Sequence, residues 1–172
     1  MTHAIERLAE WQMSDRDEAA IAALLTRCFT TDFGGRSFFT HHHHLRLIVR
    51  GQGVIGHMAL MLRSVQLGGR RATVAGLAEV AIDPAHRGQG IAAALLRAAI
   101  AEAKASPADY LLLFGVAQVY VAAGFRTVSN PLTYVQVDGT RVVTVGDDDL
   151  MVLPLRDAPW PDGPVDLRGP VF

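Results

Sequence analysis

The spacing of apolar residues predicts a sheet in the first half of the chain. Residues 45–49, 54–66 and 71–82 are apolar or alternate between apolar and polar positions, as strands of a sheet do. Short glycine-containing segments separate these runs, and Gly68-Gly69 is typical of a two-residue hairpin turn. We therefore predict three consecutive antiparallel strands, with a further short strand over residues 5–10.

Helical periodicity marks two longer segments. Ser14 stands before an acidic stretch, as a helix N-cap does, and the helix that it starts has an apolar face made by Ile21, Leu24, Leu25 and Cys28. A second helix is predicted after Gly90, because apolar residues recur there at helical spacing: Ile91, Leu95, Leu96, Ala99 and Ile100.

The second half of the chain extends the sheet. Residues 110–114 form a short apolar run suited to a buried strand, and residues 116–123 are compatible with a helix that stops at Gly124. Two more strands are expected near residues 131–137 and 150–155. Strands followed by a crossover helix and a parallel strand predict the α/β class with a mixed sheet.

Length, charge and cysteine content narrow the class of protein. A chain of 172 residues suits one domain, so residues 1–172 are expected to fold as a single unit. The net charge of -1 disfavours binding to nucleic acid or to an anionic membrane, and no apolar run reaches the ~20 residues of a membrane-spanning helix. The amino terminus lacks a secretory pattern and there is one cysteine, so we expect a cytoplasmic protein without disulfides.

The most informative segment is the glycine loop between the strand predicted over residues 71–82 and the helix predicted after Gly90. It reads Arg87-Gly88-Gln89-Gly90-Ile91-Ala92. The first N–H groups of a helix are unpaired and carry partial positive charge, so a loop of this kind binds phosphate well. No Gly-Lys-Ser/Thr follows and the three-glycine dinucleotide pattern is incomplete, which disfavours two other phosphate loops and leaves a purely structural turn as the alternative.

This loop resembles the acyl-CoA pyrophosphate loop of the GNAT superfamily of N-acetyltransferases, in the spacing Arg-x-x-Gly-x-Ala. A second similarity is Tyr120, which precedes the pair Gly124-Phe125 by four residues. The two motifs stand in the family's order, and the resemblance covers roughly residues 5–137. It implies the GNAT fold, a mixed, mostly antiparallel central sheet flanked by helices, with acetyl-CoA as the acyl donor and its pyrophosphate held by residues 87–92.

The resemblance also implies catalytic roles. Glu79 is the candidate general base, although relatives often carry the acid nine residues before the loop arginine, at the place of Ala78. A bulge in the strand would compensate for this shift of one residue. Glu79 could instead be a structural carboxylate paired with arginine, with a water chain ending on Asp32 or His57 as the proton path. Tyr120 is the candidate acid for the leaving thiolate, or only a packed ring. The oxyanion would be bound by a backbone N–H near Val80, and pantetheine by Ala81 and Ile82.

The outer segments are similar to the branch that contains the aminoglycoside 2'-N-acetyltransferases and the nodulation N-acyltransferases. Both groups acylate amino groups on sugars, which implies a small-molecule amine as the acceptor. Residues 29–44 lack periodicity and are expected to shape a pocket. The expected acceptor-binding residues are Asp32, His57, Asp149 and Phe172. Asp149 belongs to the acidic run Asp147-Asp148-Asp149, all of whose members are candidates, and Phe172 would contribute the terminal carboxylate.

The run His41-His42-His43-His44 lacks the spacing of zinc ligands, so no metal is expected.

The sequence leaves three hypotheses for the function. The first function hypothesis is an acetyl-CoA-dependent N-acetyltransferase that acts by direct attack of an amine on the thioester. The alternatives are a longer-chain acyltransferase that uses acyl carrier protein, and a CoA-binding sensor without catalysis. A homodimer is left open.

Overall fold

The computed structural model describes residues 3–115, 118–146 and 149–172. Its helices and strands are β1 (Ile5–Ala9), α1 (Asp15–Cys28), β2 (Leu45–Gly51), β3 (Gly53–Leu67), β4 (Arg70–Ile82), α2 (Ile91–Ala105), β5 (Tyr110–Phe114), α3 (Gln118–Ala122), β6 (Arg126–Thr127), β7 (Pro131–Val135), β8 (Arg141–Val145), β9 (Leu150–Pro154) and β10 (Val165–Asp166). Short 3-10 helices lie at Glu10–Gln12 and Pro84–His86. None of the helices described is both long and apolar enough to cross a membrane.

The predicted strands and the two predicted long helices are present in the structure as far as β5, and the differences lie after β5. The strand expected over residues 131–137 ends at Val135, because Gly139 donates a hydrogen bond to the carbonyl of Gln136 and closes a turn. The strand β8 that follows was not predicted. The face of β8 that is exposed carries Val143 and Val145. Apolar residues on the exposed face remove the alternation between polar and apolar positions by which a strand is predicted.

The chain forms two compact units. The first comprises Met1–Leu60 and Ala78–Ile100, and the second comprises Met61–Leu77 and Ala101–Phe172. In the first, β1, β2 and β3 are antiparallel neighbours. In the second, the strand order is β6-β9-β5-β4-β3-β10-β7-β8. The pairs β4–β5 and β7–β10 are parallel and the others whose register is known are antiparallel, which confirms the predicted mixed, mostly antiparallel sheet.

In the first unit, both long helices are placed by apolar contacts with strands. The face of α1 that the sequence predicted is buried, and it packs against Ile48, Val54 and Ala81. The beginning of α2 packs against β3 at Gly56, where an added Cβ would lie 2.7 Å from Cγ2 of Ile91. Only a glycine allows the helix to approach the strand this closely.

In the second unit, the carboxyl-terminal segment is part of the core. The indole of Trp160 stacks edge-on with Tyr110 at 5.0 Å and donates a hydrogen bond of 2.7 Å to the side chain of Asn130. The ring of Phe172 occupies the space above Gly76, where a Cβ would lie 1.9 Å from the ring. The end of the chain is therefore packed on β4.

Replacing Gly56 by valine tests the close approach of α2 to β3. We expect Gly56→Val to lower the free energy of unfolding by about 1–3 kcal/mol, because the new side chain overlaps Ile91 in a packed core. Ser64→Val is the matched control, since Ser64 lies on the same strand and is exposed. Urea unfolding of both variants measures the effect, and equal midpoints for the two would contradict the packing argument.

Candidate functional site

The glycine loop leads into a helix whose first N–H groups have no side-chain cap. Ala94 donates the first helical hydrogen bond of α2 to the carbonyl of Gly90, at 3.0 Å, so Gly90 is the N-cap. Gly88 and Gly90 have φ angles of +76° and +79°, a conformation that other residues rarely adopt. Because glycine has no side chain, the N–H groups of the first turn remain available to an external acceptor.

The amino terminus of α1 shows the opposite arrangement. The Ser14 hydroxyl accepts a hydrogen bond from the backbone N–H of Asp17, and the carboxylate of Asp17 accepts one from the backbone of Ser14. This capping box satisfies helix donors within the protein. Of the two helices, α2 therefore has the end suited to binding a phosphate.

A cavity of about 560 Å³ lies beside this end of α2. One of its lining residues is Arg97, a cationic residue that was not among the predicted site residues. Gln89, Gly90, Ala94 and Arg97 are among the residues that line it. Positions 90, 94 and 97 share one face of a helix, and this spacing could have identified Arg97 from the sequence. Arg87 is exposed, and its Nε lies 3.4 Å from the carbonyl oxygen of Ile82.

The strand before the loop has a backbone irregularity at Glu79. Its φ of +50° lies in the left-handed region, which is uncommon for any residue except glycine. A residue in this conformation interrupts the alternation of a strand and is typical of a bulge. This φ angle supports the bulge that the shifted register of Glu79 requires, and the bulge itself stays a prediction.

The register between β4 and β5 ends before Glu79. Val74–Gly76 pair with Tyr110–Leu112, and the described register extends no further although β4 continues to Ile82. Val80, Ala81 and Ile82 therefore follow the paired part of β4 and precede the glycine loop. Strand backbone without a partner on one side offers N–H and C=O groups to an extended ligand.

The carboxyl group of Glu79 is buried and incompletely hydrogen-bonded. Its Oε1 accepts a hydrogen bond of 2.8 Å from the backbone N–H of Phe39, while Oε2 has no hydrogen bond. Nε2 of His43 lies 3.5 Å from Oε2, and Nη1 of Arg46 lies 3.8 Å away. Burial outweighs the hydrogen bond and the positive charge of Arg46, and it raises the pKa of Glu79 to about 7.

Arg46 is fully buried and is mainly the partner of another acid. Its Nε and Nη2 donate to the two carboxylate oxygens of Glu10 at 2.9 and 3.0 Å, and its Nη1 donates to the carbonyl of Ser37 at 2.6 Å. Burial favours the protonated form of Glu10, but the hydrogen bonds and charges of Arg46 and His42 together outweigh it and lower the pKa of Glu10. Arg46 was not among the predicted site residues, although a charged residue inside the apolar run of β2 is a signal visible in the sequence.

His57 is held between Arg46 and the backbone of Glu79. Its Nδ1 lies 2.8 Å from the carbonyl oxygen of Glu79, so Nδ1 donates a proton there. Nε2 then accepts from Nη1 of Arg46 at 3.4 Å. Burial and the charge of Arg46 lower the pKa of His57 to about 3, so the ring is neutral. His57 is fully buried with both nitrogens used, and its contact with a substrate stays a prediction.

The other predicted acceptor-binding residues lie in different units. Asp32, in the first unit, is exposed and accepts a hydrogen bond of 2.7 Å from the N–H of Gly34. Asp149, in the second, has a φ of +53°, and its carbonyl accepts a hydrogen bond from Gly115. Asp147 and Asp148 lie outside the described residues.

Phe172, the remaining predicted acceptor residue, also lies in the second unit. Its ring stacks with the guanidinium of Arg63 at 4.4 Å. Arg63 in turn donates a hydrogen bond to the carbonyl of Pro170, and burial lowers the pKa of Arg63 to about 10. The side chain of Phe172 therefore packs within its own unit.

Tyr120 is buried in α3 of the second unit. Its ring packs edge-on against Phe125 at 6.0 Å, and burial raises the pKa of its hydroxyl. Within the described ranges no residue forms a hydrogen bond with this hydroxyl. A neutral phenol with an uncommitted proton is suited to donate it to a departing anion.

No metal site is found in the part of the chain that the structure describes, since no three side chains among His, Cys, Asp and Glu are grouped to hold an ion. The histidine run has other contacts. Nδ1 of His42 lies 2.6 Å from Oε1 of Glu10, and the backbone N–H of His44 donates to the carbonyl of Leu60.

A family model and several solved structures that are similar to this chain are all GNAT acetyltransferases. The sequence model of the family described as "Acetyltransferase (GNAT) domain" matches residues 12–128. No match to the sequence was found among curated proteins.

Among solved structures, the chain is similar to the GNAT family N-acetyltransferase YhbS of Escherichia coli in complex with CoA, with 22% identity over 96% of this chain and 89% of that one and a TM-score of 0.69. It is also similar to a GNAT family acetyltransferase of Brucella melitensis in complex with acetyl-CoA, with 21% identity over 95% of this chain and 96% of that one and a TM-score of 0.60. A third similar structure is the ribosomal-protein-S18-alanine N-acetyltransferase of Escherichia coli, with 19% identity over 91% of this chain and 97% of that one and a TM-score of 0.59.

The cavity beside α2 predicts a role for Arg97 in binding the phosphates of coenzyme A. We expect Arg97→Gln to weaken coenzyme A binding by about three- to tenfold, because one charge-assisted contact is lost at an exposed site. Isothermal titration calorimetry measures the change. Lys104→Gln removes a cation from the last turn of the same helix and should leave the affinity unaltered. Equal losses in both variants would indicate a general charge effect instead.

Proposed function

Since the chain belongs to the GNAT acetyltransferase family, we propose that it transfers an acetyl group from acetyl-CoA to a primary amine of a small molecule. The observation that carries the catalytic part is the carboxyl group of Glu79, which is buried in the strand that leads into the glycine loop, at a residue with a φ of +50°. A group with a pKa of about 7 is matched to proton transfer near neutral pH.

The donor would be held by backbone groups and helped by cations. The pyrophosphate would bind at the start of α2, at the N–H groups that follow Gly90, with Arg87 and Arg97 adding charge. Pantetheine would bind along Ala81 and Ile82, beyond the point at which β4 leaves its register with β5. The glycine N-cap and the cavity beside it support this assignment.

The chemistry would proceed by direct attack of the amine on the thioester. Glu79 in its ionised form would accept a proton from the ammonium group, which frees the nitrogen lone pair for attack on the carbonyl carbon. The N–H of Val80 would stabilise the oxyanion. The C–S bond then breaks, and Tyr120 would protonate the thiolate, since a phenol has the higher pKa of the two groups.

The class of acceptor is inferred from resemblance. Similarity of the outer segments to the aminoglycoside 2'-N-acetyltransferases and nodulation N-acyltransferases supports an amino sugar or a related amine. Asp32, His57, Asp149 and Phe172 stay predictions as acceptor contacts, as do a cytoplasmic location and a homodimer. No observation in the described part of the chain favours acyl carrier protein as the donor, and the buried carboxylate oxygen of Glu79 that has no hydrogen bond argues for catalysis over a sensor role.

A pH profile tests Glu79 as the base. We expect kcat/KM to rise with pH to a plateau above about 7, because protonated Glu79 is inactive and the ionised form is active. Glu79→Gln should lower kcat about 100-fold or more and remove this step from the profile. Thiol release from acetyl-CoA over a panel of amines and one peptide amino terminus measures it. A retained step in the variant would assign the titration to another group.

The same substitution has an effect on stability that does not require a substrate. The folded state holds a proton on Glu79 up to about pH 7, whereas the unfolded chain releases it near 4.5, so this group makes the fold less stable as pH rises between these values. Glu79→Gln removes that loss. We therefore expect the difference in Tm, variant minus wild type, to be larger at pH 8 than at pH 4.5, and a pH-independent difference would contradict the raised pKa.

Tyr120 is tested by removing only its hydroxyl. Tyr120→Phe should lower kcat by at least tenfold and change the affinity for coenzyme A little, because the ring stays and only the proton donor is lost. Tyr110→Phe is the matched control, since the hydroxyl of Tyr110 is committed to the carbonyl of Pro159 at 2.8 Å. Equal turnover in wild type and Tyr120→Phe would remove the tyrosine from the mechanism.

A further inference from the structure

A second cavity, of about 550 Å³, lies in the first unit beside the end of the segment 29–44, which was expected to shape a pocket. It is lined by the turn after β1, the first turn of α1 and the histidine run, and the lining residues that matter here are Glu10, Trp11, Asp15, Glu18, His42 and His43. We call it the acidic cavity. Its volume is in the range of cavities that hold small molecules.

The acidic cavity has an excess of negative charge. The charge of Glu10 is balanced by Arg46, but Asp15 and Glu18 form no ion pair with any residue that the structure describes. Among the described residues, the carboxylate of Glu18 accepts hydrogen bonds only from neutral donors, which are the backbone N–H of Ser37 at 3.0 Å and the hydroxyl of Ser37 at 2.6 Å. Asp15 and Glu18 are three residues apart on α1 and so face the same side. This side of the cavity favours a cation.

His43 provides an independent sign of a binding site. Its side chain is 3% exposed, and its Nδ1 has no hydrogen-bond partner. Burial and the nearby charge of Arg46 lower the pKa of His43 to about 2, so the ring is neutral. With Nε2 facing the carboxylate of Glu79 at 3.5 Å, the ring proton belongs on Nε2. Nδ1 is then a buried acceptor that requires a donor.

Trp11 adds an aromatic surface at the edge of the acidic cavity. Its side chain is 96% exposed, which is unusual for a tryptophan. An exposed indole next to acidic groups is suited to cover a protonated amine or the carbon skeleton that bears it, through a cation–π contact. The three observations, charge, acceptor and aromatic ring, agree on one type of ligand.

We propose that the acidic cavity is the binding site of the acceptor, an amine with two or more protonated amino groups, one of which donates a hydrogen bond to Nδ1 of His43 while another lies near Asp15 and Glu18. This inference rests on the proposed acetyltransferase function, since it identifies the bound amine with the acetyl acceptor. His43 is then a proton carrier between the amine and Glu79.

The proton balance of this step is complete. An N–H bond of the ammonium breaks and an Nδ1–H bond of His43 forms, while the Nε2–H bond of His43 breaks and an O–H bond forms at Oε2 of Glu79. His43 ends as the other neutral tautomer, Glu79 ends protonated, and the amine keeps the lone pair for attack. The open hydrogen-bonding positions of His43 Nδ1 and Glu79 Oε2 are the two ends of this path.

Binding is tested without acetyl-CoA, so that its outcome does not depend on catalysis. Kanamycin, which carries several amino groups, and glucosamine, which carries one, are titrated by calorimetry and by tryptophan emission. We expect kanamycin to bind more tightly and to change the emission of Trp11, and the change should disappear in Trp11→Phe, which retains Trp160. Absence of kanamycin binding, or an emission change that persists in Trp11→Phe, would overturn the site.

Matched substitutions locate the charge and the acceptor. Asp15→Asn should weaken kanamycin binding about three- to tenfold, while Asp157→Asn, an exposed acid outside the cavity, should leave binding and turnover unchanged. His43→Leu should weaken binding about tenfold and also lower kcat. Because His43→Leu alters a buried site, Asp15→Asn keeps the test valid if that variant fails to fold. Equal binding by Asp15→Asn and Asp157→Asn would overturn the proposal.

The assay for transfer separates this proposal from the proposed function. Transfer to kanamycin with a KM that rises in Asp15→Asn supports both. Transfer with an unchanged KM in Asp15→Asn would show acetyltransferase activity and place the acceptor elsewhere. Binding of kanamycin in the acidic cavity without any acetyl transfer from acetyl-CoA would overturn its role as the acceptor.

Discussion

The buried pair of Arg46 and Glu10 is the interaction on which the first unit depends. Placing a guanidinium in a fully buried position costs a large desolvation energy, which only well-placed acceptors offset. Arg46 finds them in both carboxylate oxygens of Glu10, in the carbonyl of Ser37 and in Nε2 of His57. Removing either partner would leave an uncompensated buried charge, so the pair holds β1, β2 and the segment near Ser37 in one arrangement.

The same pair determines the state of Glu79. Because Glu10 takes the two-point contact with Arg46, Glu79 is left 3.8 Å from the cation without a hydrogen bond to it. A direct pair with arginine would have lowered the pKa of Glu79, whereas burial now dominates and raises it. Burial and, after it, the charge of Arg46 keep the pKa of His57 low and its ring neutral, and His57 donates a hydrogen bond to the carbonyl of Glu79. One buried cation thus organises the surroundings of the candidate base without neutralising it.

The segment between α1 and β2 obtains its order from acids on other elements. Glu18 of α1 binds Ser37, Glu79 of β4 binds the backbone of Phe39, and Glu10 contacts His42. These contacts explain how a stretch without hydrophobic periodicity is held in place, and why it lines a cavity. Polar contacts of this kind leave hydrogen-bonding positions that a packed apolar segment would not have, such as Nδ1 of His43.

Local patterns determined what the sequence could predict about this protein. The periods of apolar residues predicted β2, β3, β4, α1 and α2, and the glycine loop before Ile91 identified a helix start without a side-chain cap, because both signals lie within a few neighbouring residues. The tertiary structure alone decided the left-handed backbone conformation of Glu79, the choice of Glu10 as the partner of Arg46 and the formation of the acidic cavity. These features join residues as far apart as 10 and 46, or 43 and 79, and they depend on burial and desolvation, which exist only after the chain has folded.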